Sequence, residues 1–192
     1  MERNVVYSPY IEPGLEHLHL VEQDEEIIGD GLLIAIEGNT PFRTHYTIRC
    51  DSTWSVRTAT LELLDKQSNK LHLQADGKGH WSDANGDPLP ALDGCIDVDI
   101  TATPFTNTLP IRRLGLTPGA SAEIMVVYIQ LPELQFRPVR QRYTCLSTDT
   151  HGGMYKYEGL ESGFTAELHV DSDGLILNYS TLWKRVWSDI IT

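Results

Sequence analysis

The chain has 192 residues, of which 41% are hydrophobic and 22% charged, and these values are typical of a globular protein with one well-buried core or two small ones. Its net charge of −12 at pH 7 argues against nucleic acid and against stable residence on an anionic membrane, because both repel a negative surface. Residues 4–42 contain no Lys or Arg, and we interpret this acidic stretch as a solvated face.

Two further features bear on location. No apolar run approaches the roughly 20 residues needed to span a bilayer, and the first residues lack a basic segment followed by an apolar one. Cys50, Cys95 and Cys145 are odd in number and far apart, which favours reduced, buried thiols over a disulfide framework. We therefore predict a cytoplasmic protein without a membrane anchor.

Short β-branched and aromatic runs with a period of two alternate with Gly, Pro and Asn turn signals, and no linker or repeat interrupts them. This pattern predicts one mainly β domain over residues 1–192. The predicted strands are Leu15–Val21, Glu26–Glu37, Arg43–Cys50, Val56–Asp65, Lys70–Ala75, Cys95–Ile100, Ala122–Leu131, Val139–Ser147, Met154–Glu158, Thr165–Val170 and Leu175–Tyr179.

Two turns and one strand add detail to this prediction. The segments flanking Asn85-Gly86 and those flanking Asp173-Gly174 should form hairpins. The run from Ile124 to Ile129 is apolar on both faces, so both faces need cover, and an internal element and a partner subunit are the candidates.

Helical signals are confined to two segments. In Thr103–Leu114, Thr103 suits an N-cap and Pro104 the first helical position, whereas Pro110 argues against one straight helix. We expect a kinked helix or two short turns there. A second short helix is predicted over Leu182–Ile191.

The predicted strand at residues 95–100 carries an acidic face. Cys95, Asp97 and Asp99 share one side, and the adjacent carboxylates lie about 6.5–7 Å apart. One interpretation is structural: the carboxylates pair with Arg112 and Arg113, because an unpaired charge turned into a core is costly. The alternatives are contact with a polar ligand and acid–base chemistry.

Further candidates for ligand contact are polar and aromatic. Thr106 and Asn107 could bind a sugar or another polyhydroxyl group, although local backbone bonding explains most of the neighbouring threonines. Trp81 and Tyr143 are the aromatic candidates, since rings with a polar handle line both cavities and interfaces.

The chain contains no G-x-S-x-G, P-loop or G-x-G-x-x-G motif. His17 and His19 share a strand face but lack a third ligand at recognisable spacing. We therefore predict no catalytic residue, metal or cofactor, and we favour a binding protein over an enzyme.

Three segments resemble a bacterial family described as putative glycolipid-binding. They are Gly79-His80-Trp81, Leu92 to Asp99 and Thr103 to Leu114, with Gln141-Arg142-Tyr143 and Asp173-Gly174-Leu175 as flanking fragments. The resemblance extends from about Leu15 to Arg185. It implies a spiral β-roll, in which a long antiparallel sheet is wrapped around a single helix, and a homodimer. That fold is similar to the bacterial lipoprotein-carrier proteins, which enclose acyl chains.

Three functional interpretations stay open. The roll could be a carrier or sensor for a glycolipid or another amphiphile, with Asp97, Asp99, Asn107, Arg112 and Arg113 at the head group. It could instead be filled by its own helix and serve as a structural or interacting homodimer. An enzyme acting on a glycoconjugate would need two carboxylates flanking a cleft. The carrier interpretation predicts a cavity of at least about 300 Å³ with mixed walls.

Overall fold

The computed structural model describes residues 1–64 and 69–189. Within these residues, fourteen strands form one continuous sheet. The strands are β1 (Glu2–Pro9), β2 (Leu15–Gln23), β3 (Glu26–Glu37), β4 (Thr40–Asp51), β5 (Val56–Leu63), β6 (Lys70–Ala75), β7 (Trp81–Ser82), β8 (Asp97–Ile100), β9 (Ser121–Gln130), β10 (Gln135–Asp149), β11 (Gly152–Gly159), β12 (Thr165–Asp171), β13 (Ile176–Tyr179) and β14 (Trp183–Ser188).

The sheet has a simple order. Strands β1 to β7 run outward in sequence on one side, β14 to β8 run outward on the other, and the two halves meet where β1 pairs with β14. All pairs between these strands are antiparallel except β8 and β9, which are parallel. A parallel pair needs a long connection, and the helical segment between β8 and β9 supplies it. The predicted roll, a long antiparallel sheet wrapped around one helix, is confirmed apart from this parallel pair.

Every predicted strand corresponds to an observed one, although Asp65 lies outside the described residues. Three strands were not predicted: β1, β7 and β14. The predicted helix Leu182–Ile191 is wrong over Trp183–Ser188, which is β14, and Ile191 lies outside the described residues. Pairing of β14 with β1 and β13 explains the difference, because tertiary contacts override weak local preference.

The two predicted hairpins differ in extent. Strands β12 and β13, on either side of Asp173-Gly174, pair antiparallel as predicted. Around Asn85-Gly86 the pairing is limited to one bridge, between Ser82 and Pro88.

The central helical segment has the two parts expected from its prolines. A 3-10 turn, Phe105–Asn107, leads into the helix α1, Thr108–Leu114. Pro104 is the N-cap of the turn, and the Thr103 hydroxyl just before it accepts the backbone N–H of Phe105 at 3.0 Å. Gly115 ends α1 in the left-handed conformation, at φ 54°.

The sheet accommodates this segment at a glycine. Phe105, Leu109 and Ile111 are buried in the core that the sheet encloses. Gly29 of β3 faces Phe105, and a Cβ at Gly29 would lie only 2.3 Å from the ring atom Cε1. The missing side chain therefore lets the ring lie against the sheet.

Strand β9 is covered on both faces within the chain at Val126 and Val127. Val126 and Val127 point to opposite faces, and their exposures are 1% and 0%. A partner subunit is therefore not needed to cover either face at this point. No helix among residues 1–64 and 69–189 is both long enough and apolar enough to cross a bilayer.

Candidate ligand-binding site

Strand β8 turns Asp99 towards the interior of the roll. Its Oδ2 accepts a hydrogen bond from Gln141 Nε2 at 2.6 Å, and its Oδ1 receives a longer one from the Thr106 hydroxyl at 3.4 Å. Both partners are neutral, and burial raises the pKa of the Asp99 carboxyl above its usual value. The carboxylate is thus held by dipoles rather than by an opposite charge.

The helical segment adds a second polar group. Asn107 Oδ1 accepts the Tyr143 hydroxyl at 2.9 Å, and Asn107 Nδ2 donates to the Pro104 carbonyl at 3.3 Å. The structure therefore brings four predicted site residues to one region: Asp99, Thr106, Asn107 and Tyr143.

Asp99, Asn107 and Gln141 line a cavity of about 310 Å³, which we call the polar pocket. Its volume and mixed walls meet the expectation from the carrier interpretation. The pocket also has five aromatic residues and three charged residues besides Asp99. These are Tyr128, Tyr157, Phe164, Tyr179 and Trp183, and Arg137, Arg140 and Glu161.

The aromatic wall is a packed cluster. Tyr157 lies 5.5 Å from Tyr143 in an edge-on arrangement, 6.0 Å from Phe164 and 6.4 Å from Tyr179, measured between ring centroids. Burial raises the pKa of Tyr157 and Tyr179, and the negative charge of Asp99 raises both further. The phenols therefore stay protonated and can donate as well as accept hydrogen bonds.

An apolar groove adjoins the polar pocket. A cavity of about 350 Å³ shares Thr101, Leu182 and Trp183 with the pocket. A wider depression of about 800 Å³ shares Phe42 with that cavity. We call these two spaces together the apolar groove; its apolar lining includes Ala35, Ile36, Ala102, Leu131, Ile34, Leu63, Leu64 and Pro132.

Asp97 makes one of the predicted charge pairs. Its carboxylate is fully buried and accepts two hydrogen bonds from Arg113, at 3.0 Å from Nε and 2.5 Å from Nη2. Burial raises the pKa of Asp97, and Arg113 opposes that shift. This pairing confirms the structural interpretation for Asp97 and Arg113, and neither residue lines the polar pocket.

Arg112 does not join that network. Its guanidinium lies 4.9 Å from the ring centroid of Trp54, and its Nη2 is 3.6 Å from Glu22 Oε2. Neighbouring residues on a helix point about 100° apart, so Arg112 and Arg113 cannot both face β8. The expectation that both arginines neutralise the acidic face is therefore wrong for Arg112, and Asp99 is paired with Gln141 instead.

Trp81 is a core residue outside both cavities. Its ring is buried, and its indole Nε1 donates to the Cys95 carbonyl at 2.8 Å. Among the described residues no cluster of three or more His, Cys, Asp or Glu side chains could hold a metal ion.

Comparison with known proteins places the chain in a family. Residues 4–185 match the family described as "Putative glycolipid-binding". The chain belongs to this family. It is similar to a DUF1089 family protein from Pseudomonas aeruginosa of known crystal structure, with 43% identity, a TM-score of 0.80, and coverage of 90% of this chain and 92% of that one. No curated protein matches the chain.

Gln141 and Glu16 are inward-facing polar residues that were not predicted as site residues from the sequence. Gln141 is 1% exposed and shares the inner face of β10 with Tyr143. Glu16 shares the inner face of β2 with Leu18 and Leu20. In both cases the period of two was the available signal, since each lies two residues from a large buried side chain.

Glu16 forms a buried hydrogen-bonded cluster with Tyr46 and Thr103. Its Oε1 accepts the hydroxyl of Tyr46 and, at 2.6 Å, that of Thr103. Within the described part of the chain its Oε2 has no hydrogen-bond partner. Burial raises the pKa of Glu16 to about 7, and the hydrogen bonds from Thr103 and Tyr46 oppose this shift. Thr103 also lines the polar pocket, so it connects the two sites.

Proposed function

We propose that this protein binds a glycolipid or a closely related amphiphile and acts as its carrier or sensor. The sugar head group occupies the polar pocket, and the hydrocarbon chain lies in the apolar groove. The observation that carries the proposal is the junction at Thr101, Leu182 and Trp183, where a polar, aromatic pocket adjoins an apolar space.

The lining of the polar pocket suits a neutral, hydroxylated ring. Asp99 and Glu161 supply two negative charges, and Arg137 and Arg140 supply two positive ones. The lining therefore has no net charge that a charged ligand would have to neutralise. Arg140 lies 3.5 Å from Glu161, and Arg137 stacks on Tyr128. Aromatic faces can pack against a sugar ring, while carboxylate, amide and phenol groups bind its hydroxyls.

The apolar groove supplies the other half of an amphiphile site. Ala35 and Leu131 lie deep in its wall, and Phe42 and Leu182 are more exposed. Each buried methylene contributes about 0.8 kcal/mol, so a chain of even moderate length would gain affinity from this surface. The family description agrees with this ligand class. The cytoplasmic location and the homodimeric state stay predictions.

Native mass spectrometry of the protein purified from its own host would test the proposal. We expect a retained lipid with a hydroxylated head group. Titration with an alkyl glycoside below its micelle concentration then gives an affinity that does not depend on the natural ligand.

A matched pair of variants locates the site. Leu182 and Leu177 are 41% and 43% exposed, but only Leu182 lines the junction. We expect Leu182→Asp to weaken binding of the alkyl glycoside at least about tenfold, because the new carboxylate would lie beside the alkyl chain of the ligand. Leu177→Asp should bind as the unmodified protein does. Equal affinities for both variants, or no binding by the unmodified protein, would refute the proposed site.

A further inference from the structure

The inner end of the polar pocket holds an unused acceptor. Gln141 is 1% exposed, and its Nε2 donates a hydrogen bond to Asp99 Oδ2. Its Oε1 is buried and, among residues 1–64 and 69–189, has no hydrogen-bond partner. A buried carbonyl without a donor is costly, and because Gln141 lines the pocket a bound molecule can supply the donor.

Asp99 offers a second acceptor beside it. The short bond from Gln141 occupies Oδ2, whereas Oδ1 receives only the 3.4 Å contact from Thr106 and retains acceptor capacity. The amide oxygen and nitrogen of Gln141 share one carbon, so Oε1 lies within about 5 Å of Asp99 Oδ2 and within about 7 Å of Asp99 Oδ1. The two acceptors are therefore close enough to bind two adjacent hydroxyl groups of one ligand.

We propose that Asp99 and Gln141 together bind a vicinal diol of the head group and thereby select a sugar over a phosphate-bearing head group. This inference rests on the proposed function and identifies the feature of the ligand that the pocket recognises. One hydroxyl donates to the Asp99 carboxylate and its neighbour donates to Gln141 Oε1.

The surrounding groups support this selectivity. Asn107 uses one of its two amide N–H groups on the Pro104 carbonyl, and its Oδ1 accepts the Tyr143 hydroxyl. A phosphate placed at this end would face the Asp99 carboxylate and be repelled. Arg137 and Arg140 are exposed residues of the pocket lining, whereas Gln141 is buried. A phosphate could therefore contact the two arginines only away from Asp99 and Gln141.

A ligand series with one chain length tests this inference on the unmodified protein. The probes are an octyl glucoside, an octyl ether of tetrahydropyran, which has the ring but no free hydroxyls, and octyl phosphocholine. We expect the glucoside to bind at least about tenfold more tightly than the other two. If all three bind equally, the proposed function stands and the diol inference is overturned. If none binds, both are overturned.

Two variants then assign the recognition to these side chains. Gln141→Met keeps the length of the side chain and removes its amide, and Gln135→Met is the exposed control on the same strand. We expect Gln141→Met and Asp99→Asn to weaken glucoside binding about tenfold or more while leaving the tetrahydropyran ether unchanged. Equal losses for both ligands, or no loss for the glucoside, would overturn the assignment.

Discussion

The buried carboxyl of Glu16 should make the stability of the folded protein depend on pH. In the unfolded chain its pKa is near the ordinary value of 4.5, whereas burial raises the pKa to about 7 in the folded protein. Between these two pH values the Glu16 carboxyl is protonated in the folded protein and ionised in the unfolded chain. The contribution of Glu16 to the unfolding free energy is therefore fully present below pH 4.5 and is lost as the pH rises through about 7.

The size of the effect follows from the shift. One pKa unit corresponds to about 1.4 kcal/mol, so the change from 4.5 to about 7 corresponds to about 3 kcal/mol of unfolding free energy. Because Glu16 is fully buried, solvent screening does not reduce this figure much. In Glu16→Gln the side chain has the same shape and cannot ionise. The variant should thus gain about 3 kcal/mol relative to the unmodified protein as the pH is raised across this range.

Urea unfolding of both proteins below pH 4.5, at intermediate pH and above pH 7 measures this difference directly. All other titrating groups are common to the two proteins and cancel. Glu12→Gln, an exposed substitution in the same acidic stretch, should follow the unmodified protein at every pH. Parallel stability profiles for Glu16→Gln and the unmodified protein would refute the reasoning.

Three other substitutions test how the helical segment is held. Arg113→Ala should lower the unfolding free energy by about 3–5 kcal/mol, because it leaves the buried Asp97 carboxylate unpaired, whereas Arg112→Ala should cost about 1 kcal/mol or less. Urea unfolding checks both, and a larger loss for Arg112→Ala would contradict the assigned partners. Gly29→Ala should cost about 1–3 kcal/mol, because its Cβ would overlap the Phe105 ring. The cost of Gly29→Ala should be smaller when it is introduced together with Phe105→Leu. An equal cost with Phe105 and with Leu at position 105 would contradict the overlap.

The sequence predicted the fold where local patterns and tertiary structure agree. Glu26–Glu37 and Lys70–Ala75 were predicted with their observed bounds, because alternation and turn residues define both ends. Trp183–Ser188 was predicted to be helical because its strand character depends on β1, which is distant in sequence. The propensities of neighbouring residues do not report a pairing between strands that are distant in sequence.

The site was predicted in part for a similar reason. Asp99 and Asn107 lie close together along the chain, so their shared location could be anticipated. Gln141 and Tyr157 join them only because the sheet brings β8, β10 and β11 around one interior. The separate directions of Arg112 and Arg113 depend on the rotation of α1 about its axis, which the sequence alone does not determine.

Glu16, Asp97 and Asp99 are inward-facing carboxylates whose partners differ. Asp97 is neutralised by Arg113, and Glu16 is bonded to Thr103 and Tyr46 with a pKa of about 7. Arg113 lies near the end of α1 and Thr103 lies just before the 3-10 turn, so these two contacts hold the helical segment at both ends. Neither acid lines the polar pocket or the apolar groove. Asp99 contacts the segment between these ends, at Thr106, has neutral partners and lines the polar pocket. A side chain needed only to anchor the helix would not require a cavity beside it, so the position of Asp99 favours contact with a ligand.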